Sequence, residues 1–262
     1  MSLLKADTYP THAPHRFTSS AALLLLLVVC SVLAVERTAQ APAFVLNQNE
    51  SDIARATQHD WRIASDWFAG KKYAVLTFDD APYGHGVDEK IMDILRKHHA
   101  RAMFFVICNH LDATDPDVLD KLVRNGHVIG NHSYDHPQLT QLNAPELEHQ
   151  IEGCSERISE ITGRRPTYFR PPFGMTSPLV KHVAEEHGMR QVLWNANSRD
   201  SWQKKPSEIL HWTVEETDDN SIVLMHDVPT TAMALDDTLT GLEERGFHFV
   251  LPDQMPSERF FD

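Results

Sequence analysis

An α/β fold built on parallel strands, curled into a barrel one unit short of eight, is what this 262-residue chain predicts on three observations. From Tyr73 onward, apolar runs of strand length alternate with stretches of helical period. Gly126, Gly163, Gly188 and Gly246 each lie just past a helical stretch, where a left-handed C-terminal residue is needed. The polar residues able to carry chemistry fall just after the strands, on the face where parallel barrels build their sites. Regular alternation of this kind implies parallel pairing. An open doubly wound sheet is the competing layout, but no GxGxxG or GxxxxGKS/T follows any strand, which weakens its nucleotide-binding forms.

In chain order, the first strand is Tyr73–Phe78, an apolar run closed by the turn Ala81-Pro82. A helix over Val87–His98 leads to a second strand, Ala102–Ile107, and the next helix spans Pro116–Arg124. Thr114 or Asp115 is expected to open that helix, because proline suits the first helical position. Strand three is Val128–Asn131, followed by the longest helix, Ala144–Ile161, and by strand four at Tyr168–Arg170. Helix Ser177–Glu186, strand Gln191–Leu193, helix Ser207–Glu216, strand Ser221–Met225, helix Ala232–Glu244 and strand Phe247–Val250 complete seven strands. There is no internal repeat or low-complexity tract.

Ahead of this domain, Ala21–Val35 is an apolar run of fifteen residues preceded by Lys5 and Arg16, the pattern of an export signal. A bilayer-crossing helix needs roughly 17–25 residues, and the uncharged stretch extends back to Phe17. A cleaved signal peptide and an uncleaved signal-anchor therefore both fit, the second giving membrane attachment through residues 17–35. Ala39-Gln-Ala41 has the look of a cleavage site, yet Pro42 directly after it opposes cleavage. Cys30 follows Val28-Val29, which argues against lipoprotein attachment. The basic N-terminal flank places the catalytic part outside the cytoplasm, secreted, periplasmic or membrane-anchored. The organisation is thus 1–35 signal or anchor, 36–69 a polar tether with a short helix near Ile53–Phe68, and 70–262 the catalytic domain.

Formal net charge is -13; residues 1–45 carry +1 from Lys5, Arg16 and Arg37 against Asp7 and Glu36, so the remainder carries -14. Such a domain repels polyanions, and with no basic patch a nucleic-acid partner is not expected. About 215 residues remain for one domain, enough to fill a single barrel. An oligomer is not expected. Cys30, Cys108 and Cys154 form no CxxC pair and read as buried small hydrophobes, with a Cys108–Cys154 disulfide open in an oxidising compartment.

Asp79 and Asp80 are adjacent carboxylates at the end of the first strand, and their repulsion calls for nearby positive charge. His132 and His136, four residues apart in a turn before Pro137, complete a His-His-Asp set with Asp80. Three protein ligands leave coordination positions open, as a catalytic metal requires. Arg170 ends a strand at two prolines that fix the chain's direction, so its guanidinium can point inward. His226 ends the Ser221–Met225 strand, and Asp200 supplies a carboxylate that can hold that imidazole protonated and oriented as a general acid.

Thr77-Phe-Asp-Asp80, His132-Ser-Tyr-Asp-His136, Arg170-Pro-Pro-Phe-Gly174, Asp200 with Trp202, and Leu224-Met-His226 together resemble the five ordered motifs of the polysaccharide deacetylases, the NodB-homology proteins or carbohydrate esterase family 4. The resemblance spans about Lys72 to Leu251. It implies a single distorted (β/α)7 barrel that removes N- or O-acetyl groups from an acetylated glycan, with a divalent metal as cofactor, zinc first and cobalt or nickel as alternatives. By the same resemblance, Asp80, His132 and His136 hold the metal, and Asp79 is the base, kept ionised by Arg170. The Phe173 N–H meets the oxyanion, and His226 paired to Asp200 protonates the leaving amine. Leu224 and Trp202 wall the acetyl pocket. Two departures stand out: Ala81 replaces the glycine of the usual Asp-Asp-Gly-Pro, which should shift the turn slightly, and Asp200-Ser-Trp202 inserts a residue between Asp and Trp.

Three other functions compete. Non-haem iron oxygenases share a two-His, one-carboxylate set but need neither Asp79 nor an Asp200–His226 pair. An amidohydrolase of the same barrel acting on a small amide would not need export. A non-catalytic carbohydrate-binding barrel would tolerate loss of Asp79 or His226, and both are present. Chitin oligomers, peptidoglycan, an exopolysaccharide and acetylated xylan are all candidate polymers. Peptidoglycan carries peptide carboxylates, so the charge of -14 counts mildly against it.

Overall fold

A computed structural model describes residues 71–255. The signal or anchor at 1–35, the tether with its helix at 53–68, and Cys30 lie outside the described residues. Among those described, no helix is long and apolar enough to cross a membrane.

The centre of the sheet is β1 (Lys72–Ala81), whose period-2 alternation divides its side chains between two environments. Ala74, Leu76 and Phe78 face outward into a core shared with the helices, where the Phe78 and Phe104 rings stack at 5.0 Å. Val75 faces inward, with Met103, Phe105, Tyr168, Val192 and Ile222. Thr77 and Asp79 continue that inward face toward the C-terminal end.

The remaining strands are β2 (Ala102–Val106), β3 (Val128–Asn131), β4 (Tyr168–Phe169), β5 (Arg190–Gln191), β6 (Ala196–Asn197), β7 (Ser221–His226) and β8 (Phe247–Phe249), and every ladder is parallel. Their order is β5-β4-β3-β2-β1-β7-β6, with β8 pairing the start of β1. This order is cyclic, as in a barrel, and lacks the reversal of a doubly wound sheet. No ladder joins β5 to β6 among the described residues, so the barrel is open there, and the distorted (β/α)7 form is what the chain adopts.

The helices are α1 (Val87–Lys97), α2 (Val118–Arg124), α3 (Ala144–Thr162), α4 (Pro178–Glu186), α5 (Pro206–Glu216) and α6 (Pro229–Glu244). Asn143 opens α3 with a capping box to Glu146, and Gly163 closes it at φ 69°, a left-handed position that costs glycine nothing.

Three expectations need correction. Helix α2 begins at Val118, not at Pro116, because Asp115 accepts from the Asp117 and Val118 amides and forms a turn ahead of the helix. Strand β6 was not foreseen, since two residues carry no periodicity; they are held by their register with Val223 and Leu224 and by the Asn197 amide donating to Glu216 Oε2. Asp200 lies three residues past β6. Cys108 and Cys154 are paired as a disulfide between the turn after β2 and α3, and so are more than buried hydrophobes.

Candidate active site

Parallel register brings the end of β1 beside the end of β7: Asp79 stands opposite His226, and Thr77 opposite Leu224. Alternation then puts Leu224 and His226 on the same inward face as Asp79. The Arg170 amide donates to Asn131 O at 2.9 Å, which sets the loop after β4 beside that after β3.

Arg170 is fully buried, and every polar contact of its fork is directed. Nη1 donates to Asp79 Oδ1 and to Thr77 Oγ1, both at 2.7 Å. Nε and Nη2 donate to Val192 O and Leu193 O at 3.0 and 3.1 Å. The guanidinium also lies 4.2 Å from the centre of the Phe105 ring and 5.6 Å from that of Trp194. Burial lowers its pKa, while the charge and hydrogen bond of Asp79 oppose that shift. Asp79 is thus fixed on one oxygen, and Oδ2 lies 3.7 Å from His132 Nε2.

His132 Nδ1 donates to Arg170 O at 2.7 Å, which leaves Nε2 as the lone-pair nitrogen. That nitrogen is 3.6 Å from Asp80 Oδ1, and His136 Nε2 is 3.4 Å from the same oxygen. Burial pushes both imidazoles below the ordinary histidine value, against the pull of Asp79, so both are neutral at pH 7. Neutral rings are the ligating form.

The ligand atoms of Asp80, His132 and His136 all lie within 4.8 Å of one another. Asp80 Oδ1 is buried without a hydrogen-bond partner. A carboxylate oxygen left unsatisfied between two imidazole nitrogens is the donor set a divalent cation completes, so these residues fit the metal that the sequence implied.

His226 and Asp200 form the opposite wall. Nδ1 meets Asp200 Oδ1 at 2.7 Å, while Oδ2 accepts from the His226 amide and the Thr231 hydroxyl, each at 2.6 Å. Burial alone would lower the imidazole pKa; the hydrogen bond and charge of Asp200 outweigh it and push the value up to about 9. Burial likewise works against the Asp200 charge, and the contacts to His226 and Thr231 hold that carboxyl below its usual range. The ring is charged at neutral pH, with Nε2 carrying the transferable proton.

Phe173 packs its ring on His136 at 4.6 Å with its backbone at φ 61°, and is 62 % exposed. Gly174 follows at φ 67°, where an added Cβ would fall 2.7 Å from the Trp194 ring. Asp80, Ser133 and His136 also have positive φ, at 63, 72 and 59°. Four of the eight non-glycine residues with left-handed backbone among those described lie where the polar groups converge, the others being His85, His99, Arg199 and Asn220. Ala81 is not among the positive-φ residues and pairs with Val106, so a methyl in place of hydrogen meets no backbone penalty.

The structure therefore gathers Asp79, Asp80, His132, His136, Arg170, Phe173, Asp200, Leu224 and His226. Trp202 stands 58 % exposed in the turn two residues beyond Asp200. Asp227, next to His226, is buried and pushed up to about 9 by burial and by Asp88. Thr231 was not anticipated, and Thr77, present only as part of the first motif, had no role assigned. Both are buried hydroxyls that orient a charged partner, and in sequence they look like ordinary members of a strand and a helix.

A parallel barrel with its carboxylates and imidazoles gathered at the C-terminal mouth has the layout of the α/β-barrel enzymes. Residues 69–192 match the polysaccharide deacetylase family. The chain is 32 % identical to the peptidoglycan-N-acetylmuramic acid deacetylase PdaA of Bacillus subtilis, covering 72 % of this chain and 73 % of that one. It is 35 % identical to the peptidoglycan-N-acetylglucosamine deacetylase PgdA of Listeria monocytogenes over 72 % of its own length but only 40 % of that enzyme's. Among solved structures, a T48 deacetylase with substrate aligns at TM-score 0.66 and 31 % identity, covering 71 % of this chain and 91 % of that one. The chain belongs to the polysaccharide deacetylase family.

Proposed function

We propose that this protein hydrolyses acetamido groups on an N-acetylated cell-envelope glycan outside the cytoplasm. The observation that carries the reading is the pair of fixed groups flanking one cluster: Asp79, held on Oδ1 by Arg170 with Oδ2 turned toward His132, and His226, held protonated by Asp200. A proton acceptor and a proton donor held across one site are what base and acid roles require.

Asp80, His132 and His136 would hold a divalent ion, zinc first. When bound, that ion supplies Lewis acidity toward the acetyl carbonyl and a more acidic water. Asp79 Oδ2 takes the proton of the attacking water, since Oδ1 is occupied by Arg170. The Phe173 N–H donates to the oxygen that becomes negative. His226 Nε2 gives its proton to the departing sugar nitrogen, which leaves as an amine. Leu224 floors the pocket for the acetyl methyl, and Trp202 offers its exposed ring as a wall on the sugar side.

Two observations favour a cell-envelope polymer over a small amide. The Cys108–Cys154 disulfide belongs to an oxidising compartment, in keeping with an export segment at residues 17–35. Both relatives described above are named for deacetylating peptidoglycan sugars, which makes that polymer the first substrate to try despite the charge of -14. The test is acetate release from a panel of peptidoglycan strands, chitin oligomers and acetylated xylan, before and after chelation and after zinc is restored. Release that survives full metal removal, or none from any glycan with zinc present, overturns the reading.

A further inference from the structure

The loop between the two histidine ligands is short and held in an uncommon conformation. Ser133 and His136 have φ of 72 and 59°. The Ser133 amide is capped by Asn131 Oδ1 at 2.7 Å and the His136 amide by Ser133 Oγ at 3.0 Å. The two amides between them have no partner inside the loop. Tyr134 N and Asp135 N both donate to Gln150 Oε1, at 3.0 and 2.9 Å. Gln150 Nε2 donates in turn to Asp135 Oδ2 at 3.0 Å, and Asp135 Oδ1 accepts from Asn109 Nδ2 at 3.2 Å.

Gln150 is buried on α3, and its orientation is forced: two N–H groups on one side demand the oxygen, a carboxylate on the other demands the nitrogen. The helix presenting it is itself fixed to the site. Ile151 O and Ser155 Oγ accept from Asn131 Nδ2, and Cys154 is bonded to Cys108, whose amide donates to Ser133 O. Among the described residues, Gln150 is the one side chain that meets both central amides of the loop.

We propose that Gln150 is a positioning residue for metal binding: it closes the Ser133–Asp135 loop from behind, so that His132 and His136 are presented at ligand spacing before any ion arrives. This rests on the metal reading of the Asp80, His132 and His136 cluster. Groups that orient metal ligands without touching the metal are worth about 10- to 100-fold in affinity. A purely structural glutamine would change melting temperature and leave affinity alone.

The test is zinc affinity of the full chain by chelator competition, with the melting temperature of the metal-free protein measured in parallel. Q150E keeps the shape and the acceptor but sets a carboxylate against Asp135, so zinc affinity should fall about 10- to 100-fold. D135N reverses the other half. In Q150E/D135N the new amide can donate to the new carboxylate and still accept from Asn109, so the double variant should recover most of the affinity. Because it restores every hydrogen bond, it also answers the question if Q150E alone folds poorly. Q150E binding zinc like the original chain, or a double variant as weak as Q150E while melting normally, overturns the proposal. If the unaltered chain binds zinc no better than D80A does, the metal reading itself falls, an outcome separate from either of these.

Discussion

At the scale of single residues, adjacency of Asp79 and Asp80 is resolved by the backbone: Asp79 continues the inward alternation of β1, and Asp80 at φ 63° turns toward His132 and His136. Their functions should therefore separate on mutation. Asp79→Asn keeps the side chain's shape and removes the proposed base, so turnover should drop about 100- to 10,000-fold with bound metal unchanged. Asp80→Ala and His136→Ala should lose the metal itself, which metal content of each purified variant checks. The pH profile tests the opposite wall. A general acid must be protonated, and the His226 pKa of about 9 keeps it so across neutrality. Activity should fall as pH rises through about 9, and Asp200→Asn should move that alkaline limb down toward the ordinary histidine range. The same sign governs stability: a raised pKa contributes stability below the unfolded value and loses it as pH passes the folded one. An alkaline limb unmoved by Asp200→Asn would remove His226 from the acid role.

At the scale of elements, what the sequence disclosed and what it withheld divide along periodicity. Helices α1, α3, α4, α5 and α6 announce themselves by helical period, and they lie within about three residues of expectation. Strand β4 lies where Tyr168–Arg170 is expected and β5 starts one residue ahead of Gln191–Leu193, whereas β6, two residues without periodicity, is defined only by its neighbours. The site divides in the same way. Asp79, His132 and Arg170 are legible because ionisable groups leaving apolar strands call for partners. Thr77, Gln150 and Thr231 are not, because a buried hydroxyl or amide in a regular element looks like ordinary sequence until its partner is known. The disulfide likewise depends on a distance between β2 and α3 that spacing alone does not give. It closes a loop across 46 residues and should stabilise the fold by roughly 2–4 kcal/mol. Urea unfolding with and without reductant should show a lower midpoint in the reduced protein, and Cys154→Ser should match that value without responding to reductant.

For the whole molecule, charge is the property that acts beyond the site. Residues 46–262 carry -14, a field that reaches tens of ångströms in dilute salt and is cut to about 10 Å at 0.1 M. Three acetylated polymers meet that field differently. A neutral chitin oligomer is indifferent to it, a peptidoglycan strand with peptide carboxylates is repelled, and a partly deacetylated strand bearing free amines is attracted. Since the proposed reaction turns neutral acetamides into amines, the enzyme's own product is the polymer its charge favours, and successive attack on one strand is the expected consequence. KM at low and moderate salt separates these cases at mildly acidic pH, where sugar amines are protonated. Raising salt should lower KM several-fold for carboxylate-bearing strands, raise it for partly deacetylated chitin, and leave it unchanged for fully acetylated chitin. If KM for peptidoglycan strands does not respond to salt, then the local charge at the mouth of the barrel, and not the total, governs encounter, and the net charge loses its weight against that substrate.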